Sequence, residues 1–285
     1  MVAIMKFFLM EMPTPTLFGW FHIMYILLAI AGSVLLVVFG RNMSEKKYKL
    51  TLLIAWISLL VLEVFKLLTF AIEWDLSGTV LKFKSYAWYT FPFQMCATPM
   101  FVLPFVIFVK NKKIVDACTA YMVSFSFFAG LVTFIYPGDV FISRMWIDIQ
   151  SMTYHGLMIV LGIFIAAYRR KDLTIKFFIG ALFPFTILIT LAVLLNEVMF
   201  FAVPDIRSGA QTFNMFFIST HYDSTLPVLS MLNGKIDRVA RIFLYYFCFM
   251  AIAYIIYMIT YACAVLLPKA FASLSRKKKV ATEAE

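Results

Sequence analysis

The stretch FPFQMCATPM, residues 91–100, sets the thiol of Cys96 two positions after the carboxamide of Gln94, between Pro92 and Pro99. A thiolate is a competent nucleophile, but a free thiol has a pKa near ~8.5 and needs a base or cation beside it. Imidazoles are scarce: His22 stands in GWFHIMYILL and His155 in YHGLMIVL. The remaining polar groups in apolar company are Glu63, Lys66, Gln150, Asn196, Glu197 and Asn214, with Thr98 and Ser151 as possible hydroxyl nucleophiles. Each has a plainer use. Glu63 and Lys66 are three apart, the spacing of an ion pair on one helix face. Asn196 and Glu197 fit a helix end, and a lone His bonds backbone as readily as it moves protons. Free Cys is a common small buried residue. Cys118, Cys248 and Cys263 lack polar neighbours and read as such filler. No CxxC spacing occurs, so neither a disulfide framework, a metal site nor a cofactor is expected.

The background explains why these groups stand out. Of 285 residues, 63% are hydrophobic and 14% charged, against the roughly 25% charged of a soluble domain. Apolar runs of about 20 residues recur, and each is long enough to cross a bilayer as a helix. The runs predict an all-α polytopic bundle of seven helices, over 17–39, 50–72, 91–109, 114–135, 148–168, 174–202 and 241–267. Pro99 and Pro104 predict a kink in the third. The domain reading is an outer segment, 1–16, one membrane domain, 17–268, and a basic tail, 269–285. The outer connection at 204–240 contains QTFNMFFIST, too apolar for a solvated loop and too short to span. It is expected to re-enter the bilayer or lie along its surface.

Alternate connections differ in charge. One side carries sixteen Lys and Arg, in RNMSEKKYK, KNKK, RRKDLTIK and the tail, and the other carries eight. The positive-inside rule then places the N-terminus outside and the C-terminus in the cytoplasm. The net charge of +10 is thereby read as a topology signal and a contact with anionic lipid at the cytoplasmic loops, not as nucleic-acid binding. In this orientation His22, Gln94, Cys96, Gln150, His155, Glu63, Asn196, Glu197 and Asn214 all fall in the outer half. Polar groups in hydrocarbon normally face a cavity and one another, so a polar chamber under the outer surface is expected.

GWFHIMYILL, FPFQMCA and YHGLMIVL, in that order, resemble the landmarks of the YwaF-like integral membrane family of bacteria: a His opening the first helix, an LHLC-like thiol motif, then HG. Its later NYM motif is partly matched by FNMFF at Asn214, and Gln94 stands where a His is common. The resemblance covers roughly residues 17–265. It implies a bacterial cell-membrane protein and, through a vertebrate relative that resembles a transacylase of ether phospholipids, a lipid acyltransferase. The thiol then falls on Cys96 and the base on His155, with membrane phospholipids or other acyl lipids as substrates. Alternatives are a transporter or lipid-binding protein with a non-catalytic cavity, and a membrane fatty-acid-ester hydrolase. The oligomeric state is not legible.

Overall fold

The computed structural model describes residues 2–74, 80–83 and 85–266; the basic tail, 269–285, lies outside them. Helix α1 (Val2–Phe8) precedes α2 (Trp20–Gly40) and α3 (Glu45–Ala71). A two-stranded antiparallel hairpin, β1 (Ile72–Trp74) and β2 (Leu81–Phe83), follows. Then come α4 (Pro99–Phe108), α5 (Lys112–Tyr121) and α6 (Phe127–Ile135), the last two continuous through a wide turn at Met122–Ser126. The chain closes with α7 (Met145–Tyr168), α8 (Ile175–Ala202), two single-turn helices α9 (Pro204–Arg207) and α10 (Pro227–Ser230), and α11 (Arg238–Tyr261).

Six of these segments are long and apolar enough to cross a membrane: α2, α3, α5–α6, α7, α8 and α11 with its continuation to Leu266. Together with α4 they form the all-α polytopic bundle that the apolar runs predict. Caps fix the starts. Asn111 accepts from the N–H of Lys113, Thr174 from Phe177, and Asp237 from Val239, each satisfying a donor that the first helical turn leaves open. Helices α5–α6 and α7 are mostly buried at the centre, while α2, α3 and α11 present Leu27, Ile30, Ile54, Val61, Phe247 and Ile255 outward. Such a girdle of bare hydrocarbon suits lipid as solvent.

The third segment departs from expectation. Residues 91–98 are not helical; a single tight turn at Met95–Ala97 leads into α4 at Pro99. Pro99 belongs at a first helical position, where its missing N–H costs nothing. Pro104 sits inside α4 and leaves the carbonyl of Met100 without its usual donor. The indole Nε1 of Trp56 donates to that carbonyl at 2.8 Å, so α3 supplies the bond that proline removes.

Helices α6 and α7 approach closely through glycine. A Cβ on Gly130 would lie 2.9 Å from the carbonyl oxygen of His155, and one on Gly162 would lie 2.6 Å from Cβ of Phe127. The start of α7 is also tied to the end of α3, where Arg144 donates to the carbonyl of Thr69 at 2.7 Å.

Candidate functional site

Residues 150, 151, 154 and 155 share one face of α7, at helical spacing, and Glu63 and Lys66 share one face of α3. These two faces meet the turn that carries Cys96. Between them lies a cavity of about 80 Å³ lined by Glu63, Lys66, Gln94, Cys96, Gln150, Ser151, Tyr154 and His155, with Tyr89, Phe91 and Ala97 completing the wall. Cys96 and His155, distant in sequence, therefore face the same small space. Cys96 is partly buried, Cys118 is buried, and Cys248 and Cys263 are exposed.

Hydrogen bonds assign the imidazoles different states. Nδ1 of His155 lies 2.7 Å from the carbonyl oxygen of Ser151, which can only accept. Nδ1 therefore carries the hydrogen, and in the neutral ring Nε2 holds a free lone pair. Among the described residues Nε2 has no hydrogen-bond partner. His22 is the reverse case. Its Nδ1 accepts from the N–H of Phe18 at 3.0 Å, and its Nε2 donates to the carbonyl of Phe134 at 2.9 Å. With both nitrogens engaged between α2 and α6, His22 is a structural tie, separate from the Cys96 cavity.

The other polar groups sort by what they already hold. Glu63 is buried and ion-paired with Lys66. Gln150 is buried, and its carboxamide makes no hydrogen bond among the described residues. The hydroxyl of Tyr154 is buried and likewise unpartnered. Gln150 and Tyr154 both line the cavity, and nothing else among the described residues uses their side-chain donors.

Gln94 lines the cavity but works outward from it. Its Nε2 donates to the carbonyl of Asn214 at 3.0 Å and its Oε1 accepts from the N–H of Phe216 at 2.8 Å. Asn196 clamps the residue between, donating to the carbonyl of Met215 at 3.0 Å and accepting from its N–H at 2.7 Å. Asn214 accepts from the N–H of Ser219 at 2.9 Å. These bonds hold Phe216 and Phe217 in left-handed backbone, at φ 57° and 59°, where bulky residues are rarely found. The apolar 211–220 segment is consequently an irregular loop packed into the bundle, with Phe213, Met215, Phe216 and Ile218 fully buried.

Glu197 belongs to a third group, accepting from the hydroxyl of Thr220 and lying 2.9 Å from Nε2 of His221. The polar residues at this end therefore form neighbouring clusters, with Gln94 joining the thiol cavity to the loop. Sequence reasoning passed over Tyr154, which is hidden among aromatics, and Arg241, read there only as a flanking charge. Arg241 is buried and donates to Asn233 at 2.8 Å, the carbonyl of Ser219 at 2.9 Å and that of Tyr222 at 2.6 Å.

Residues 17–262 match the sequence model of the TMEM164 family. No curated protein and no solved structure matches the chain.

Proposed function

Since the chain belongs to the TMEM164 family of membrane proteins, we propose that this multi-pass protein is a lipid acyltransferase with Cys96 as nucleophile and His155 as general base. The observation that carries this reading is the cavity shared by Cys96 and His155, with the lone pair of His155 on the nitrogen that has no partner among the described residues. The resemblance of the thiol and HG landmarks to those of the YwaF-like family supports the same two residues.

In this mechanism Nε2 of His155 takes the thiol proton as sulfur attacks an ester carbonyl. A carbon–sulfur bond forms and the carbonyl electron pair moves onto oxygen. Collapse breaks the ester carbon–oxygen bond, and the departing lysolipid oxygen takes the proton back from His155. The acyl group is left as a thioester on Cys96. A second lipid hydroxyl then gives its proton to His155, attacks the thioester and expels the sulfur, which takes that proton from His155 and restores the resting thiol and neutral imidazole. Gln150 and Tyr154 are the donors for the oxyanion, which needs hydrogen bonds preset before charge develops. Lys66 adds positive charge beside the sulfur, balanced by Glu63. The cavity has room for the reacting ester but not for an acyl chain, which lies in surrounding lipid at the outer leaflet.

The test is acyl transfer in reconstituted vesicles, from a phospholipid with a labelled chain to a lysolipid. Cys96→Ala and His155→Ala are each expected to reduce transfer by about 10²-fold or more, the usual share of a general base. Release of labelled free acid in place of transfer would identify a hydrolase using the same pair. Wild-type rates in both variants would refute the assignment.

A further inference from the structure

At the opposite end of the bundle, about 27 Å along α3 by helical rise from Glu63 to Glu45, an open cavity of about 760 Å³ lies among the helix ends. Seven Lys and Arg line it against three carboxylates. The carboxylates are all taken: Glu45 pairs with Lys49 at 3.1 Å, and Asp116 and Asp172 both pair with Arg169, at 2.5 Å each. Arg169 is thereby fixed as part of the wall. Arg41, Lys110, Arg170 and Lys171 are left with no carboxylate in reach among the described residues, and of these Arg170 already spends its guanidinium on the carbonyls of Arg41 and Ala167 and the carboxamide of Asn42.

Two further features point inward. Helices α3 and α5 both begin at this cavity, so their positive dipole ends face the same space. Tyr48 also lines it. Its ring stacks on Tyr168 with centroids 3.9 Å apart, and its hydroxyl is buried without a hydrogen-bond partner among the described residues. A buried hydroxyl left unpaired is unfavourable, and a bound acceptor would relieve it.

We propose that this cavity is a binding site for a phosphate-bearing anion, held by Arg41, Lys110 and Lys171 with the Tyr48 hydroxyl donating to a phosphate oxygen. Carboxylates alone fit less well, because three converging cations and two helix starts suit a group with several charged oxygens. The volume admits more than one phosphate. The same chemistry could come from a lipid headgroup or from a soluble phosphate compound. The site shares no residue with the Cys96 cavity, so its test is independent of the acyl-transfer reading.

The full chain is placed in zwitterionic phosphatidylcholine nanodiscs. Binding is read as the midpoint of a thermal-stability titration with inorganic pyrophosphate, and separately with phosphatidic acid built into the disc. The triple variant Arg41→Gln, Lys110→Gln, Lys171→Gln should weaken binding at least tenfold. The control Lys46→Gln, Lys47→Gln, Lys113→Gln removes the same charge from the first turns of α3 and α5, outside the cavity, and should change it less than twofold. Tyr48→Phe should weaken binding severalfold without lowering stability in the ligand-free disc. Response to pyrophosphate assigns a soluble source, and response to phosphatidic acid alone assigns a lipid one; either supports the site. Equal loss in both triple variants, or no response to either phosphate probe, would overturn it.

Discussion

Gly130 meets the carbonyl oxygen of His155 so closely that a Cβ at that position would stand 2.9 Å from it, with Cβ of Met158 at 3.1 Å. The contact sets the spacing of α6 and α7 at the turn that carries the proposed base. In an ordinary helix Gly→Ala is stabilising by about 0.5–1 kcal/mol. Here the added methyl meets backbone, which cannot rotate away, and overpacking costs about 1–3 kcal/mol. Gly130→Ala is therefore expected to lower the unfolding midpoint in detergent. Acyl transfer should fall further than the folded fraction does. A stabilised variant would show that the helices separate freely.

Trp56 and Pro104 should be energetically coupled through Met100. Trp56→Phe strands a carbonyl that has no donor of its own, at a cost of about 1–3 kcal/mol. Pro104→Ala restores an N–H four residues beyond Met100, so the same Trp56 substitution should cost less in that background. A double-mutant cycle on thermal stability reads the coupling. Strict additivity would mean that the indole bond contributes nothing.

Gln94 is expected to act on the loop rather than on the chemistry. Gln94→Ala removes two partly buried bonds to the backbone of 214–216, each worth about 0.5–1.5 kcal/mol. Gln94→Glu should be worse, since a carboxylate would face the Asn214 carbonyl that now receives an N–H. Hydrogen exchange over 211–220 is the readout, and protection should drop in the order wild type, Ala, Glu. Unchanged protection would show that Asn196 holds the segment alone.

Gln150 and His22 separate catalysis from structure. Gln150→Leu removes an unengaged donor at the cavity and is expected to lower kcat by about 10²–10³-fold, as the loss of an oxyanion donor does, with KM little changed. His22→Phe breaks two ties between helices, so it should reduce the yield of folded protein while the folded fraction transfers acyl groups at the wild-type rate. The opposite pattern would exchange their roles.

The sequence makes the thiol cavity legible because charge and amide groups are expensive in hydrocarbon. Glu63, Gln150 and His155 stand out against apolar neighbours, and helical periodicity places them on inward faces. The six long helices follow from the same contrast. Other features depend on contacts between distant segments. Nothing in MFFI forecasts left-handed Phe216 and Phe217; that geometry is imposed by Gln94, 122 residues away from Phe216, and by Asn196. The hairpin after α3 and helix α1 are too short for periodicity to reveal. Tyr154 reads as one aromatic among many until its hydroxyl is seen to lack a partner. Cys96 falls outside the helix expected to hold it because Pro99, not Phe91, begins α4.

The most direct measurement is site-specific labelling of purified protein by a thiol-reactive lipid probe, with the modified residue mapped by mass spectrometry. Labelling should fall on Cys96 and sink to background in His155→Ala, while the exposed Cys248 and Cys263 react slowly and without regard to that substitution. Equal labelling of Cys96 with and without the imidazole, or preferential reaction elsewhere, would contradict the pairing.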